Sequence, residues 1–429
     1  MQRLALVVCL LTACRFAPGE TGGGDDDGSG SDAGIDGGSG SGSNGSNDAP
    51  TCGNPGSVRD DFNGTVIADQ WYQYNLRGTV SETNQALSIT PINNDMMNRF
   101  TGVESKNAFD MRRGQVTVEI TQMVDNSMKV SAGLYLATPT EIASLVYAQG
   151  MVQGTVGTAK TTPVAYDATM MKWWRISNDG SLLHFWTSPD GVTFNELGAG
   201  FPVDFSIVHV FLGGNSSQDG NVHGTVTFDS LNLDTPATPW CKSHTFVDPF
   251  MRTTVGDNWY AIAGGMGPMG CTPTVSATGA QFATHDMAAR CWLQTEEGFD
   301  LSSDYVTVDV PAIATLPTNF QVFLRVVSDT TANAFQIYFL NNFVCGQLQS
   351  LAVGCTSYDS SKMEYWRIGE NNHTLAFETS PDKVTWTKVM PDATETSAFS
   401  VNSVHVEIGV DAPTNSDFTQ TVSGYNTAF

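Results

Sequence analysis

Residues 173–186 read WWRISNDGSLLHFW, and residues 365–378 read YWRIGENNHTLAFE. Each stretch opens with two aromatic residues followed by Arg and Ile, passes through a polar segment and ends on a Leu-x-Phe pattern. Alternating apolar and polar residues on both sides of a short polar segment are typical of an antiparallel β-hairpin. The two stretches therefore predict two equivalent hairpins.

The turn residues set the predicted register of each hairpin. Asn and Gly tolerate positive φ, which places a two-residue turn at Asp179-Gly180 in the first stretch and at Asn371-Asn372 in the second. The facing pairs predicted in this way are Ile176 with Leu183, Trp174 with Phe185, Arg175 with His184 and Trp173 with Trp186, then Ile368 with Leu375 and Trp366 with Phe377. One face of each hairpin is apolar and is predicted to lie in a core.

Both hairpins belong to a longer repeat. Ser-Pro-Asp follows each of them, Phe62 with Trp71 returns as Phe250 with Trp259, and Val-His-Val occurs at residues 208–210 and 404–406. The offset rises along the chain, which indicates two homologous copies with small insertions. Each copy consists of short alternating runs separated by Gly, Asn, Asp and Pro. We predict an all-β fold with two tandem antiparallel β-sandwich (jelly-roll) domains, at residues 51–237 and 238–429.

The repeated motifs resemble those of the concanavalin A-like lectin/glucanase jelly rolls. The resemblance rests on Trp-Arg-Ile, a turn, Leu-x-Phe, Ser-Pro-Asp and an aromatic residue four positions after the Asp, together with the opening Asp-Phe or Asp-Pro-Phe and a later Trp. It is strongest to laminin G-like domains and to versions appended to glycosidases in bacterial secreted proteins. It covers residues 57–429 and implies the fold, because its motif positions are core and turn residues that do not specify an activity.

The N-terminus predicts export and lipid anchoring. Arg3 and an apolar run from Leu4 to Leu11 form a signal peptide that is too short to span a membrane, and the following Thr-Ala-Cys14 resembles a bacterial lipobox. We expect residues 1–13 to be removed and Cys14 to carry acyl chains. Residues 14–50 are rich in Gly, Ser and Asp and are predicted to be a disordered tether to the bacterial cell envelope, at the outer membrane or cell surface. An ordinary secretory signal with an incidental Cys is the alternative.

Charge and cysteine content define the environment further. The net charge of −24 excludes the basic surface that nucleic-acid binding requires. The cysteines that follow Cys14 suit an oxidising compartment, with free thiols or zinc ligands as alternatives. Local pairing favours Cys271–Cys291 and Cys345–Cys355, which leaves Cys52 with Cys241 as a clasp that closes the first domain.

The sequence offers a candidate binding surface and no catalytic residues. The paired carboxylates of retaining glucanases are absent, as are the usual zinc and serine-hydrolase motifs. Period-2 alternation instead places Trp173, Arg175, His184 and Trp186 on the outer face of the first hairpin. Such aromatic rings beside a guanidinium could stack on sugar rings, or they could pack beneath a loop or against the second domain.

These patterns predict non-catalytic glycan binding at the cell envelope. A protein-interaction or structural envelope module is one alternative, and a glycan-cleaving hydrolase or lyase is another. No cofactor is predicted. Calcium at loop carboxylates is common among related folds, but the sequence does not select a ligand set for it.

Overall fold

The computed structural model describes residues 52–427, except residues 76–77, 93–98, 139, 204, 206, 218–219, 257, 265–270, 285–288, 314–317, 331–332, 349–350, 395–399 and 413–417. The predicted signal peptide, Cys14 and the tether lie outside the described residues. Within the described part the chain forms strands and two short 3₁₀ helices, Pro55–Ser57 and Ser243–Thr245. The described residues include no helix that is long and apolar enough to cross a bilayer.

The first part of the chain forms a sandwich of two antiparallel sheets. Sheet A has the strand order β1-β4-β16-β7-β8-β9-β10, with β5 paired to β16 and β11 to β9, and sheet B has the order β14-β13-β12-β6-β17-β3-β2, with β15 paired to β13. The strands are β1 (Trp71–Tyr74), β2 (Thr79–Thr83), β3 (Ala86–Thr90), β4 (Arg99–Ser105), β5 (Phe109–Asp110), β6 (Gln115–Gln122), β7 (Val130–Ala137), β8 (Ile142–Ala148), β9 (Met151–Val156), β10 (Ala159–Lys160), β11 (Val164–Ala165), β12 (Trp173–Asn178), β13 (Leu182–Ser188), β14 (Asn195–Glu196), β15 (Phe201–Pro202), β16 (Ile207–Ser216) and β17 (Val226–Asp229).

The second part repeats this architecture with one difference. Sheet C has the order β18-β23-β33-β25-β26-β27-β28, with β22 paired to β33 and β19 paired to β22. The counterpart of sheet B is divided into two sheets. Sheet D has the order β20-β21-β34, and sheet E has the order β31-β30-β29-β24-β35, with β32 paired to β30. The strands are β18 (Cys241–Lys242), β19 (Trp259–Gly264), β20 (Cys271–Ser276), β21 (Gly279–Thr284), β22 (Ala289–Thr295), β23 (Phe299–Asp300), β24 (Tyr305–Asp309), β25 (Gln321–Ser328), β26 (Ala334–Leu340), β27 (Phe343–Leu348), β28 (Leu351–Ser357), β29 (Tyr365–Asn371), β30 (Thr374–Ser380), β31 (Thr387–Lys388), β32 (Ala393–Thr394), β33 (Val404–Ala412), β34 (Phe418–Val422) and β35 (Gly424–Tyr425). The predicted all-β fold with two sandwiches is confirmed.

Each sandwich has its own core between its sheets. Trp174 and Trp366, at equivalent positions of the two copies, are fully buried, and their indole N–H groups donate to the carbonyls of Met171 and Met363 at 3.0 Å. The two sheets approach each other closely at Gly154, where an added Cβ atom would lie 2.4 Å from the Phe185 ring. The apolar faces predicted for both hairpins therefore form the centres of the two cores.

The predicted register of both hairpins is wrong by two residues. Ile176 faces Phe185 rather than Leu183, and Ile368 faces Phe377 rather than Leu375. The remaining observed pairs are Trp173 with Ser188, Trp174 with Thr187, Arg175 with Trp186, Ser177 with His184 and Trp366 with Thr379. A slip of two residues keeps every side chain on its predicted face, because successive strand residues alternate between faces.

The cause of the slip lies in the turns. Gly180 has φ of 96° and is the first central residue of the observed turn, whose second is Ser181. In the second hairpin Asn372 and His373 have φ of 49° and 62°, as a type I′ turn requires at both central positions. Each turn is therefore centred one residue later than predicted.

Near its end, each sandwich has one asparagine at an equivalent position: Asn232, which is buried, and Asn426, which is half-buried. Asn232 accepts a hydrogen bond from the Thr117 backbone N–H at 2.9 Å and donates to the carbonyls of Pro55 at 3.0 Å and Val58 at 2.7 Å. Asn426 repeats this arrangement with the corresponding backbone groups of the second sandwich. Each side chain thereby joins the opening segment of its copy to the following sheet.

The three predicted disulfide pairs are present: Cys52–Cys241, Cys271–Cys291 and Cys345–Cys355. The first joins the start of the first sandwich to β18, which pairs with β23 in sheet C. The segment just before β18 also contacts the first sandwich, since Gly53 donates to the Pro239 carbonyl at 2.9 Å. The domain boundary after residue 237 stays a prediction.

The sandwiches meet through buried polar groups. Nε2 of His209 lies 2.8 Å from the Glu296 carboxylate, and the Asn107 amide donates to Asp329 at 2.6 Å. Nδ1 of His405 lies 2.7 Å from the same Asp329. The repeated Val-His-Val strands thus place one histidine of each copy at this junction.

We expect the junction to lose stability at alkaline pH. Burial alone lowers the pKa of His405, but the Asp329 and Glu407 carboxylates outweigh it and raise the pKa to about 9. This contribution to the free energy of unfolding is complete below the ordinary pKa of 6.5 and is lost as the pH rises through about 9. In thermal melts from pH 6 to pH 10, the difference between the native protein and His405→Gln should shrink between about pH 6.5 and about pH 9 and level off above it. A difference that stays constant with pH would contradict this assignment.

Candidate functional site

A cleft of about 610 Å³ lies beside the first hairpin. We call it the hairpin cleft. Its floor includes His184 and Trp186 of β13, and polar groups of Gln115 and Asn178 line it. The remaining walls come from Asn54-Pro55, Arg113-Gly114, Ser177, Asp179 and residues 234–236. Residues from both ends of the first copy therefore line the cleft together with residues of the hairpin.

Trp186 is the main apolar surface of the hairpin cleft. Its side chain is half-buried, and its indole N–H donates to the Ser177 hydroxyl at 2.8 Å. The His184 ring lies 5.8 Å from the Trp186 ring, measured between centroids. Because its N–H is already bound within the protein, the indole is held in one orientation and presents its ring surface to the cleft.

His184 is held between two carboxylates. Nδ1 lies 2.6 Å from Glu196, and Nε2 lies 3.3 Å from Asp179. Burial alone lowers the pKa of His184, but the hydrogen bonds and charges of Glu196 and Asp179 outweigh burial and raise the pKa above its ordinary value. Both imidazole nitrogens are therefore engaged within the protein, so His184 is not a free base in the cleft.

Arg175 is on the predicted face but takes no part in lining the cleft. Its guanidinium donates to the Thr117 hydroxyl at 3.0 Å and to Asp234 at 2.7 Å, and it lies 3.5 Å from the centre of the Phe194 ring. Burial lowers the pKa of Arg175, and the Asp234 charge opposes this effect. Arg175 therefore orders the cleft wall at Asp234, as expected of an arginine paired with a carboxylate.

Trp173 also lies outside the cleft lining. Gly191 covers it, since a Cβ on this glycine would lie 3.0 Å from the indole ring. The structure thus divides the four predicted ligand-binding residues into two groups. His184 and Trp186 line the cleft, whereas Trp173 and Arg175 pack beside it. Ligand binding by any of the four stays a prediction.

The second hairpin differs at this face. Ala376 and Glu378 occupy the positions of His184 and Trp186. Arg367 donates to Glu378 at 2.8 Å and lies 4.0 Å from the centre of the Trp386 ring. The arginine–carboxylate pair and the arginine–aromatic contact recur in both copies, while the exposed aromatic pair is a property of the first copy alone.

Sequence reasoning missed Ser177 and the distant walls of the cleft. Ser177 lies two residues after Arg175 in the same strand, so the alternation places both side chains on the same face. The predicted register did not pair Ser177 with His184, whereas the observed register does. No local pattern connects Asn54 or Asp234 with the hairpin, because they reach it only through the closure of the sandwich. Within the described residues, no group of three or more His, Cys, Asp or Glu side chains could hold a metal ion. Calcium, for which the sequence selects no ligand set, stays untested.

Comparisons with known proteins address the fold. No family model and no curated protein matches the chain. Among solved structures, the apo Crh5 transglycosylase is 13% identical with a TM-score of 0.32, over 45% of this chain and 88% of that one. A laminarinase from Flavobacterium sp. UMI-01 is 11% identical with a TM-score of 0.31, over 41% of this chain and 97% of that one.

The laminin G-like part of the resemblance also appears among solved structures. The mouse laminin alpha1 chain, domains LG4-5, is 12% identical with a TM-score of 0.19, over 88% of this chain and 90% of that one. At TM-scores this low, the resemblance to concanavalin A-like and laminin G-like folds stays a resemblance. At these values the likeness says nothing about activity, so any function must be argued from this chain's own residues.

Proposed function

We propose that the protein binds glycans without cleaving them and that the hairpin cleft is the binding site. The observation that carries the proposal is an oriented indole, Trp186, on the floor of a cleft whose walls carry amide, imidazole and hydroxyl groups. Sugar rings combine an apolar face with a rim of hydroxyls, so they match a flat aromatic surface surrounded by hydrogen-bonding groups.

We further propose that this site is displayed at the bacterial cell envelope by a lipid on Cys14 and a flexible tether over residues 14–50. The lipobox-like motif and the tether composition support this placement. Three disulfides also suit an exported protein. An envelope polymer or a glycan outside the cell is then the partner, and the membrane is reached through the lipid alone.

Binding should depend on Trp186 and not on its neighbour Trp173. We expect Trp186→Ala to weaken the affinity for a bound glycan at least about tenfold, because a central aromatic contact commonly contributes more than 1.4 kcal/mol. The exported protein carrying Cys14→Ser would be screened on a glycan array, and the affinity of the strongest binder measured by titration calorimetry. Trp173→Ala is the matched control, since it removes an indole from the same hairpin outside the cleft.

The same experiment separates the alternatives. Equal affinities for Trp186→Ala and the native protein would exclude the hairpin cleft. Absence of any glycan binding would favour a protein-interaction or structural module of the envelope. Shortening of defined oligosaccharides during the incubation, detected by mass spectrometry, would show that the protein is a glycan-cleaving enzyme.

A further inference from the structure

A second cleft, of about 500 Å³, lies where the two sandwiches meet. We call it the junction cleft. Gln70 and Asn107 line it from the first sandwich, Thr330 and Asn402 line it from the second, and Trp240 comes from the segment between them. It shares no lining residue with the hairpin cleft. Clefts between domains are frequent sites of small-molecule binding, and this volume lies within their usual range.

The polar groups of the junction cleft are held in place before any ligand arrives. The Gln70 amide donates to the Arg59 carbonyl at 2.9 Å and to Asp60 at 3.0 Å. The Asn107 amide is fixed by its 2.6 Å hydrogen bond to Asp329. A preorganised site avoids the entropic cost of ordering its side chains when the ligand binds.

Asn107 also offers an unused acceptor. The residue is only 5% exposed, and its Oδ1 has no hydrogen-bond partner among the described residues. A buried carbonyl oxygen without a donor is costly, so it favours a ligand hydroxyl or a water molecule that can supply one. Asn107 belongs to the wall of the junction cleft, so a hydroxyl donor that reached this oxygen would relieve the cost.

The charge of the junction cleft is balanced. Asp300 is the one charged residue among the described residues that line the cleft. The Asp300 carboxylate accepts hydrogen bonds from the Lys242 ammonium at 2.7 Å and from the Ser302 backbone N–H at 2.9 Å. No charge is left to attract an ionic ligand, and the protein's net charge of −24 opposes anions. Hydroxyl and amide groups around one indole instead suit a neutral molecule with many hydroxyls.

We propose that the junction cleft is a second binding site and that it takes a neutral sugar of one or two residues. In this proposal Trp240 provides the apolar surface, and Asn402 and Gln70 offer their amide groups to the hydroxyls. Because the contacts come from both sandwiches, a bound sugar stabilises their junction. The inference does not depend on the hairpin cleft and would hold if that cleft bound nothing.

The test uses the full exported protein carrying Cys14→Ser, with glucose, galactose, N-acetylglucosamine and cellobiose as probes and glucuronate as the anionic comparison. Saturation-transfer NMR measures binding, and thermal melts measure stabilisation. We expect at least one neutral sugar to bind and to raise the melting temperature, and glucuronate to do neither. Trp240→Ala should weaken that affinity about tenfold, while Trp240→Phe keeps most of it.

Two further variants make the outcome unambiguous. The Asn402 side chain is exposed, so Asn402→Ala should weaken binding without affecting folding. This variant keeps the proposal testable if Trp240→Ala misfolds. Trp186→Ala should leave binding at the junction unchanged. If none of the four neutral sugars binds, or if Trp240→Ala and Asn402→Ala both bind as the native protein does, the proposal is wrong. The second result concerns the junction cleft alone, because Trp186→Ala tests the hairpin cleft separately.

Discussion

Replacing Trp366 by alanine is expected to lower the free energy of unfolding of the second sandwich by about 3–5 kcal/mol. The side chain is fully buried in the middle of sheet E, so the surrounding residues can only partly fill the cavity. The free energy of unfolding of a small domain is about 5–15 kcal/mol, so the loss is a large part of the stability of the sandwich. Scanning calorimetry of the exported protein should show one transition shifted to a much lower temperature.

The duplicated architecture provides the controls for this prediction. Trp174→Ala removes the equivalent side chain of the first sandwich and should shift a different transition by a similar amount. Trp386→Ala, in the strand connection next to Trp366, removes a half-exposed indole and should cost far less. A loss below about 1 kcal/mol for Trp366→Ala would show that the site collapses without a cavity and would refute the prediction.

Replacing Asn232 by alanine is expected to destabilise the first sandwich by about 3 kcal/mol or more, although the change removes few atoms. It leaves the Thr117 N–H and the Val58 carbonyl without their partner and removes one of the two hydrogen bonds to the Pro55 carbonyl, and each unsatisfied buried group costs about 1–3 kcal/mol. Alanine must also adopt the φ of 54° that asparagine tolerates better. Urea unfolding monitored by tryptophan fluorescence measures the loss.

Two comparisons identify its cause. Asn232→Asp keeps the acceptor for Thr117 but buries a carboxylate against the two carbonyl oxygens, so it should be at least as destabilising as Asn232→Ala. Asn426→Ala should also destabilise the second sandwich, whose hydrogen bonds are equivalent. A loss below about 1 kcal/mol for Asn232→Ala would contradict the prediction.

The hairpins show how far local sequence specifies this fold. Their existence and core faces follow from alternation, but the register depends on side-chain contacts in the turn. Asp179 accepts from the backbone N–H groups of Ser181 and Leu182, both at 2.8 Å, and this arrangement moves the turn centre one residue beyond Asp-Gly. Turn propensity alone did not reveal this preference.

The candidate site could be predicted only in part for a different reason. His184 and Trp186 belong to the hairpin and were found from its alternation. Asn54 and Asp234 come from opposite ends of the first copy and meet only when the sandwich closes. Long-range closure of this kind leaves no periodic signal near the hairpin, so the cleft itself required the structure.

Comparison of the copies also shows where the sequence has been free to change. The cores are equivalent, but the outer faces of sheets A and C carry different side chains. In sheet C four polar residues on adjacent strands are hydrogen-bonded in a row: Glu407, Arg325, Gln336 and Gln347. The equivalent row of sheet A is partly aromatic and consists of Phe211, Tyr135, Ser144 and Thr155. The two copies therefore share their cores and differ on the sheet faces that point away from those cores.

The bond between Cys52 and Cys241 has a mechanical consequence. It closes a loop with a sequence separation of 189 residues that contains the whole first sandwich. A pulling force applied between the N-terminal segment and the second sandwich passes directly through the sulfur atoms to Lys242, so the enclosed strands carry no tension. In a protein tethered by its N-terminus under flow, the hairpin cleft would keep its shape while the load falls on the second sandwich.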